Sequence, residues 1–319
     1  ALPFLKAASF PSSKENKVLK AIRASKVDLV LLAVAAVWGA SYLSAKAITP
    51  FASVPAMLSV RFAIATLAMV AIWLIRRRAF SKTDLLLGTL FGLTQSSIMS
   101  VETYGLKITS ATNAGLLISL TIIFTPIMES AWNKRWLPRS FFLAAVGAIV
   151  GVALLVTGNG IQEPNFGDFL LFAAAIVRAV HVTAQGVLTR NREASSFNMI
   201  LMQCLTATLV FFVFDIQGAF DAIATFGPAQ WAGTLFLALF CSVFAFVAQL
   251  WAIRQTSASR STLLLATEPI WAVFIAVWFG GETLALIGIL GAIVIIVSTY
   301  IGQGIESRYR EKIQAEAKN

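Results

Sequence analysis

The chain has 319 residues, of which 58% are apolar and 13% charged, a formal net charge of +10 and a mean hydropathy of +0.81. A soluble domain carries about a quarter charged residues, so this much apolar surface has to face lipid, which excludes a soluble enzyme. The cations do not point to nucleic acid either: they sit in short clusters between apolar runs, as in the cytoplasmic loops of membrane proteins.

Residues 1–26 form a basic tail, with Lys17 to Lys26 readable as a surface helix on the inner leaflet or as a solvated segment. A cleaved signal peptide is not expected, because the first apolar run is as long as a full membrane span. A spanning helix needs about 20 apolar residues. Runs that qualify are 27–45, 53–75, 83–104, 111–131, 140–157, 168–189, 197–217, 229–252, 261–279 and 285–302. Turn chemistry separates them at Thr49-Pro50, Gly158-Asn159-Gly160, Gly227-Pro228 and Gly280-Gly281. With the N-terminus inside, alternation places Arg76-Arg77-Arg78, Lys134-Arg135, Arg190, Arg254, Arg260, Arg308 and Arg310 inside, and only Lys46 and Lys107 outside. That asymmetry predicts ten spans with both termini cytoplasmic. The expected fold is an all-α integral membrane protein.

The chain nearly repeats itself. The segment around Thr109-Ser110-Ala111 aligns with Thr256-Ser257-Ala258. The units are then a five-helix copy over 27–157, an external linker over 158–167, a second copy over 168–302 and a C-terminal tail over 303–319. An odd number of spans per copy inserts the second copy upside down. Inverted repeats are typical of secondary transporters, with the substrate between the halves near mid-membrane.

Polar residues inside spans are costly, so they face protein or water. Trp38 and Tyr42, spaced i, i+4 on the first span, suit a substrate with an ammonium and an apolar or aromatic side chain; core or interfacial aromatics are the alternative. Gln95, Met99 and Glu102 share a face of the third span, and Ser242, Phe246 and Gln249 one of the eighth. On the sixth, Arg178, His181 and Gln185 share a face. His181, the only histidine, suits either a substrate or pH-responsive role or a structural interhelical hydrogen bond. Arg61 either snorkels or pairs. Glu268 is expected to pair with Arg178 or Arg61, as a lock or a proton site. Pro126 and Pro269 are candidate gating hinges, and Asn113 and Thr262 are weaker candidates at the starts of the duplicated helices. Gly147-xxx-Gly151 and Gly288-xxx-Ala292 are small-residue patterns for helix packing, within one protomer or in a homodimer. Cys204 and Cys241 have no disulfide or metal spacing. No metal, cofactor or Walker A phosphate loop is expected, and the single histidine argues against an intramembrane lipid-modifying enzyme.

Val37-Trp38-Gly39, Arg61-Phe62, Leu106-Lys107-Ile108-Thr109-Ser110-Ala111, Glu268-Pro269 and Gly281-Glu282-Thr283-Leu284, in this order, resemble the EamA-type members of the drug/metabolite transporter superfamily. Within it the chain is similar to the bacterial YddG-type aromatic amino-acid exporters, over residues 27–302. The resemblance implies efflux of small metabolites, often amino acids, across the bacterial inner membrane by alternating access. Carriage of a nucleotide sugar or a toxic cation is the alternative. The first copy departs from the pattern where Lys134-Arg135 replaces the Gly-Glu motif.

Overall fold

The computed structural model describes residues 13–109, 117–156, 165–280 and 285–316. Among these residues the regular structure is helical and no strand occurs. The helices are α1 (Ser13–Ile48), α2 (Val54–Arg76), α3 (Lys82–Ile108), α4 (Thr121–Asn133), α5 (Arg139–Val156), α6 (Phe166–Thr189) and α7 (Ser196–Thr225), followed by α8 (Pro228–Gln255), α9 (Ala258–Leu265), α10 (Glu268–Gly280) and α11 (Leu286–Glu316). Five of them, α2, α6, α7, α8 and α11, are long and apolar enough by length and composition to cross a membrane.

The boundaries follow capping chemistry. Ser53 accepts from the Ala56 N–H (3.2 Å) and Pro55 sits in the first turn of α2, where its missing N–H costs nothing. Ser81 with Asp84, and Asn165 with Asp168, close capping boxes on α3 and α6. Arg77 ends α2 in the left-handed region, at φ 47°.

Several elements differ from the sequence expectation. The backbone of α1 is helical from Ser13, so the basic segment is continuous with the helix expected as the first span. The C-terminal tail is helical through Glu316, as an extension of α11. The segment expected as the ninth span is two helices with a break at Ala266–Thr267. Pro269 therefore does not kink a continuous helix; it occupies the first turn of α10, where proline is tolerated because that N–H has no helical partner. Pro126 does lie inside α4. A similar break precedes α4 at Leu120, whose N–H bonds to the Leu117 carbonyl (3.2 Å), as that of Thr267 bonds to Leu264 (3.2 Å). Of the expected linker 158–167, residues 158–164 lie outside the described residues, as do Asn113, Glu282 and Thr283, while Phe166 and Gly167 already belong to α6.

Helices pair across the two sequence halves. The α2 helix runs along α7, α3 packs on α6 and α7, α5 on α11, and α1 fits among α8, α9 and α10. The main core joins Phe62 and Phe91 to Met199, Ile200 and Phe211. Glycines permit the closest approaches. Gly147 faces Ser298, and Gly151 meets Ile295 and Gly291, so this small-residue pattern serves a contact within the chain, with Gly291 as the partner. Gly88 and Gly92 of α3 lie against Met199, Met202, Gln203 and Thr206 of α7, a second crossing that the sequence reading missed. A Cβ at Gly92 would run into Thr206, whereas one at Gly304 meets nothing within 4 Å. Gly92→Leu is expected to cost about 1–3 kcal/mol by overpacking, read as a lower unfolding midpoint in detergent, with Gly304→Leu close to wild type.

Candidate functional site

The middle of the bundle carries two polar groups, each joining the halves. In the first, α8 changes to a π-helix over Leu237–Phe244. Such wider turns shift the register of the backbone and are frequent at functional sites. Here the Cys241 carbonyl accepts from Trp38 Nε1 (3.0 Å), and Ser242 Oγ accepts from Arg61 Nε (2.9 Å). Trp38 also stands edge-on to Phe246 (6.1 Å), and the Arg61 guanidinium lies over Phe62 (5.6 Å). Trp38, Met99 and Phe246 touch one apolar cluster. Tyr42 lies one turn beyond Trp38 on α1, and its side chain is outside the described residues.

The second group joins α3 to α6. Arg178 Nη2 donates to Glu102 Oε2, so Arg178 takes its carboxylate from α3. Arg61 takes a hydroxyl in the first group, and Glu102 is within electrostatic range of it. Glu268 lies in the first turn of α10, with its carbonyl against Gly39 of α1. His181 Nδ1 shares a hydrogen with Thr94 Oγ1 (2.7 Å), and its ring stands edge-on to Phe91 (5.7 Å). Gln95, Gln185 and Gln249 are buried. Gln185 Oε1, both polar atoms of Gln203, Thr125 Oγ1 and Thr262 Oγ1 are buried with no hydrogen-bond partner among the described residues. Each such atom costs about 1–3 kcal/mol, a burden expected where a polar path is kept. Gln203 was missed, although a glutamine inside an apolar run is the same signal that singled out Gln95.

A denser polar network lies at one end of the bundle, around Asp28 of α1, the start of α9 and the ends of α4, α6 and the apolar part of α11. Arg260 forks onto Asp28 (Nε–Oδ1 3.1 Å, Nη2–Oδ2 2.7 Å) and reaches Glu306 through Nη1 (3.5 Å). Glu306 is 2% exposed and also accepts from Ser257 Oγ (2.7 Å). Glu129 accepts from the Ser259 N–H (2.7 Å) and hydroxyl. Three bonds from serines at the start of α9 thus tie it to α4 and α11. A hollow of about 410 Å³ adjoins these residues. The sequence placed Arg190, Arg260 and Arg310 at one end but did not identify this junction. At the other end, Thr109 donates to Asp168 and Asn165 Nδ2 donates to Thr109 (3.2 Å), closing α3 onto α6. No group of His, Cys, Asp and Glu fit to hold a metal occurs among the described residues.

An uncharacterized transporter of Archaeoglobus fulgidus is 23% identical over 294 residues, covering 87% of this chain and 97% of the relative. A "probable terminal-alkyne amino-acid exporter" of Streptantibioticus cattleyicolor is 26% identical over 205 residues, covering 63% of this chain and 67% of the relative. One crystal structure superposes with a TM-score of 0.72 at 16% identity, covering 89% of this chain and 99% of the other, a likeness of fold. The model of the EamA-like transporter family matches twice, over residues 25–157 and 165–301, and the chain belongs to that family.

Proposed function

We propose that the protein is a secondary carrier that exports amino acids or related small metabolites across the bacterial inner membrane by alternating access. In this reading ten spans form two inverted five-helix copies, over 27–157 and 168–302, with both termini in the cytoplasm. The observation that carries it is the correspondence between halves in the register that aligns Thr109 with Thr256. Leu120 then aligns with Thr267, and both helices break there with matching backbone bonds. Thr94 aligns with Cys241: α6 of the second half reaches Thr94 through His181, and α1 of the first reaches Cys241 through Trp38. Crossed contacts of this kind support two related copies built around one central path, and broken helices are a recurring feature of transporter substrate sites.

The substrate site is assigned to that path. Trp38, Tyr42, Met99 and Phe246 supply its apolar and aromatic side, and Gln95, His181, Gln185 and Gln249 its polar side. The ion pair of Arg178 with Glu102 offers both charges that a zwitterion needs. The name of the exporter relative supports an amino-acid substrate.

The test is uptake by proteoliposomes of labelled aromatic, aliphatic and hydroxyl amino acids, a cationic dye and a nucleotide sugar, each with and without a pH gradient. Saturable amino-acid uptake is expected, competed by unlabelled amino acids. Uptake of the dye or sugar alone would keep the carrier and overturn the substrate class. Trp38→Ala is expected to raise KM for aromatic substrates about tenfold, the loss of one stacking or cation–π contact of ~1–2 kcal/mol. An unchanged KM in a well-expressed variant removes Trp38 from the site.

A further inference from the structure

We infer that the hollow beside α4, α6 and α11 is a loading site for a zwitterionic amino acid, and that filling it loosens the junction that holds α9. The inference rests on the export reading, in which this end faces the cytoplasm, the side from which an exporter takes its substrate.

The hollow's volume, about 410 Å³, falls within the ~300–1,000 Å³ of small-ligand sites. Its wall combines both charges with apolar surface: Glu129 and Glu306, Arg190 and Arg310, Leu137 and Tyr309. Between residues of this wall the opposite charges are only loosely engaged, while Arg260 reaches Glu306 from outside it at 3.5 Å. Arg190 Nη2 stands 4.0 Å from Glu129 Oε1, and Arg310 Nη1 stands 3.7 Å from Glu306 Oε1. Charge-assisted hydrogen bonds run at about 2.7–2.9 Å, so neither pair forms one. The bonds that tie the same carboxylates to α9 are short, 2.7 Å from the Ser259 N–H and 2.7 Å from Ser257 Oγ.

A zwitterion matches that arrangement. Its carboxylate accepts from Arg190 and Arg310, its ammonium donates to Glu129 and Glu306, and its side chain lies on Leu137 and Tyr309. The carboxylates that receive the ammonium are the ones that bind the two serines of α9. Each hydrogen bond given to the substrate therefore competes with one that holds α9 to α4 or α11. Because the loaded state and the loosened junction draw on the same two acids, substrate favours opening of this end. A ligand shifts such an equilibrium only through different affinity for its two states, and this sharing supplies the difference.

The full-length protein in proteoliposomes, assayed from each face, tests the inference. Arg190 is half exposed, so Arg190→Gln is expected to fold. KM for phenylalanine from the cytoplasmic face should rise about tenfold, as for one lost charge-assisted hydrogen bond, with KM from the opposite face unmoved and Arg190→Lys recovering part of the loss. A second readout is independent of transport. Cys204 and Cys241 are buried, so Asn133→Cys places an accessible thiol on the wall. Its alkylation by a charged maleimide should be slowed at least about fivefold by saturating phenylalanine, but not by acetate or ethylamine, which carry one charge each. A wild-type protein that moves amino acids while Arg190→Gln keeps its cytoplasmic KM overturns the loading site alone. So does labelling that phenylalanine does not slow. A wild-type protein that moves no amino acid overturns the export reading and the loading site with it.

Discussion

Arg260→Gln is expected to lower stability by about 3–5 kcal/mol, the cost of removing one member of a buried ion pair and leaving the other. The guanidinium is nearly inaccessible and faces two acids, Asp28 from α1 and Glu306 from α11. Without it, Glu306 keeps its Ser257 bond and the looser contact with Arg310. Glutamine can reach one of the acids but carries no charge for either. Arg260→Lys should fall between, because an ammonium keeps the charge and loses the fork that grips both oxygens of Asp28. Adding Glu306→Gln to Arg260→Gln should restore part of the loss, since the second change removes the acid stranded by the first. Arg308→Gln, at an exposed position on α11, the helix of Glu306, should stay within about 0.5 kcal/mol of wild type. The measurement is the unfolding midpoint in detergent. An Arg260→Gln midpoint level with that of Arg308→Gln would show that the junction carries no weight.

Glu102→Gln has the second large expected effect, on transport. Arg178 sits well inside α6, where an arginine at mid-span costs about 3 kcal/mol on insertion scales, and Glu102 offsets that cost from α3. Removing the carboxylate should destabilise the fold by about 2–3 kcal/mol, below the fully buried case because both side chains keep some accessibility. Transport should fall more than about tenfold, the equivalent of about 1.4 kcal/mol at the rate-limiting step. The double variant Glu102→Gln, Arg178→Gln separates the two roles. It should recover most of the midpoint, because neither charge then remains, and should not recover transport. Recovery of both would make the pair structural only.

Apolar run length, turn residues and basic loops are properties of consecutive residues, so membrane helices, most of their boundaries and the family could be read from the chain without a fold. The start of α3 near residue 83 and the cross-copy likeness around Thr109 and Thr256 are of this kind. Trp38, Phe246, His181 and Arg178 were singled out by the cost of burying polarity or by helical spacing, and both are local quantities. Their partners were not legible. Thr94 for His181, Glu102 for Arg178 and Ser242 for Arg61 depend on which helix lies opposite and at what height. The π-turn of α8 and the breaks at Leu120 and Thr267 also escaped, because neither break falls on a glycine or proline and the turn lies inside an unbroken apolar run.

By itself, then, the sequence determined that the chain is helical, belongs in a membrane and resembles a transporter, because hydrophobic length and charge placement act along one dimension. Only the tertiary structure decided that α9 is held by Glu129 and Glu306, that Arg260 grips Asp28, and that a two-signed hollow adjoins them. Those contacts join residues more than a hundred positions apart in two of the three cases. Their strength depends on distance and burial, which arise only when the helices pack.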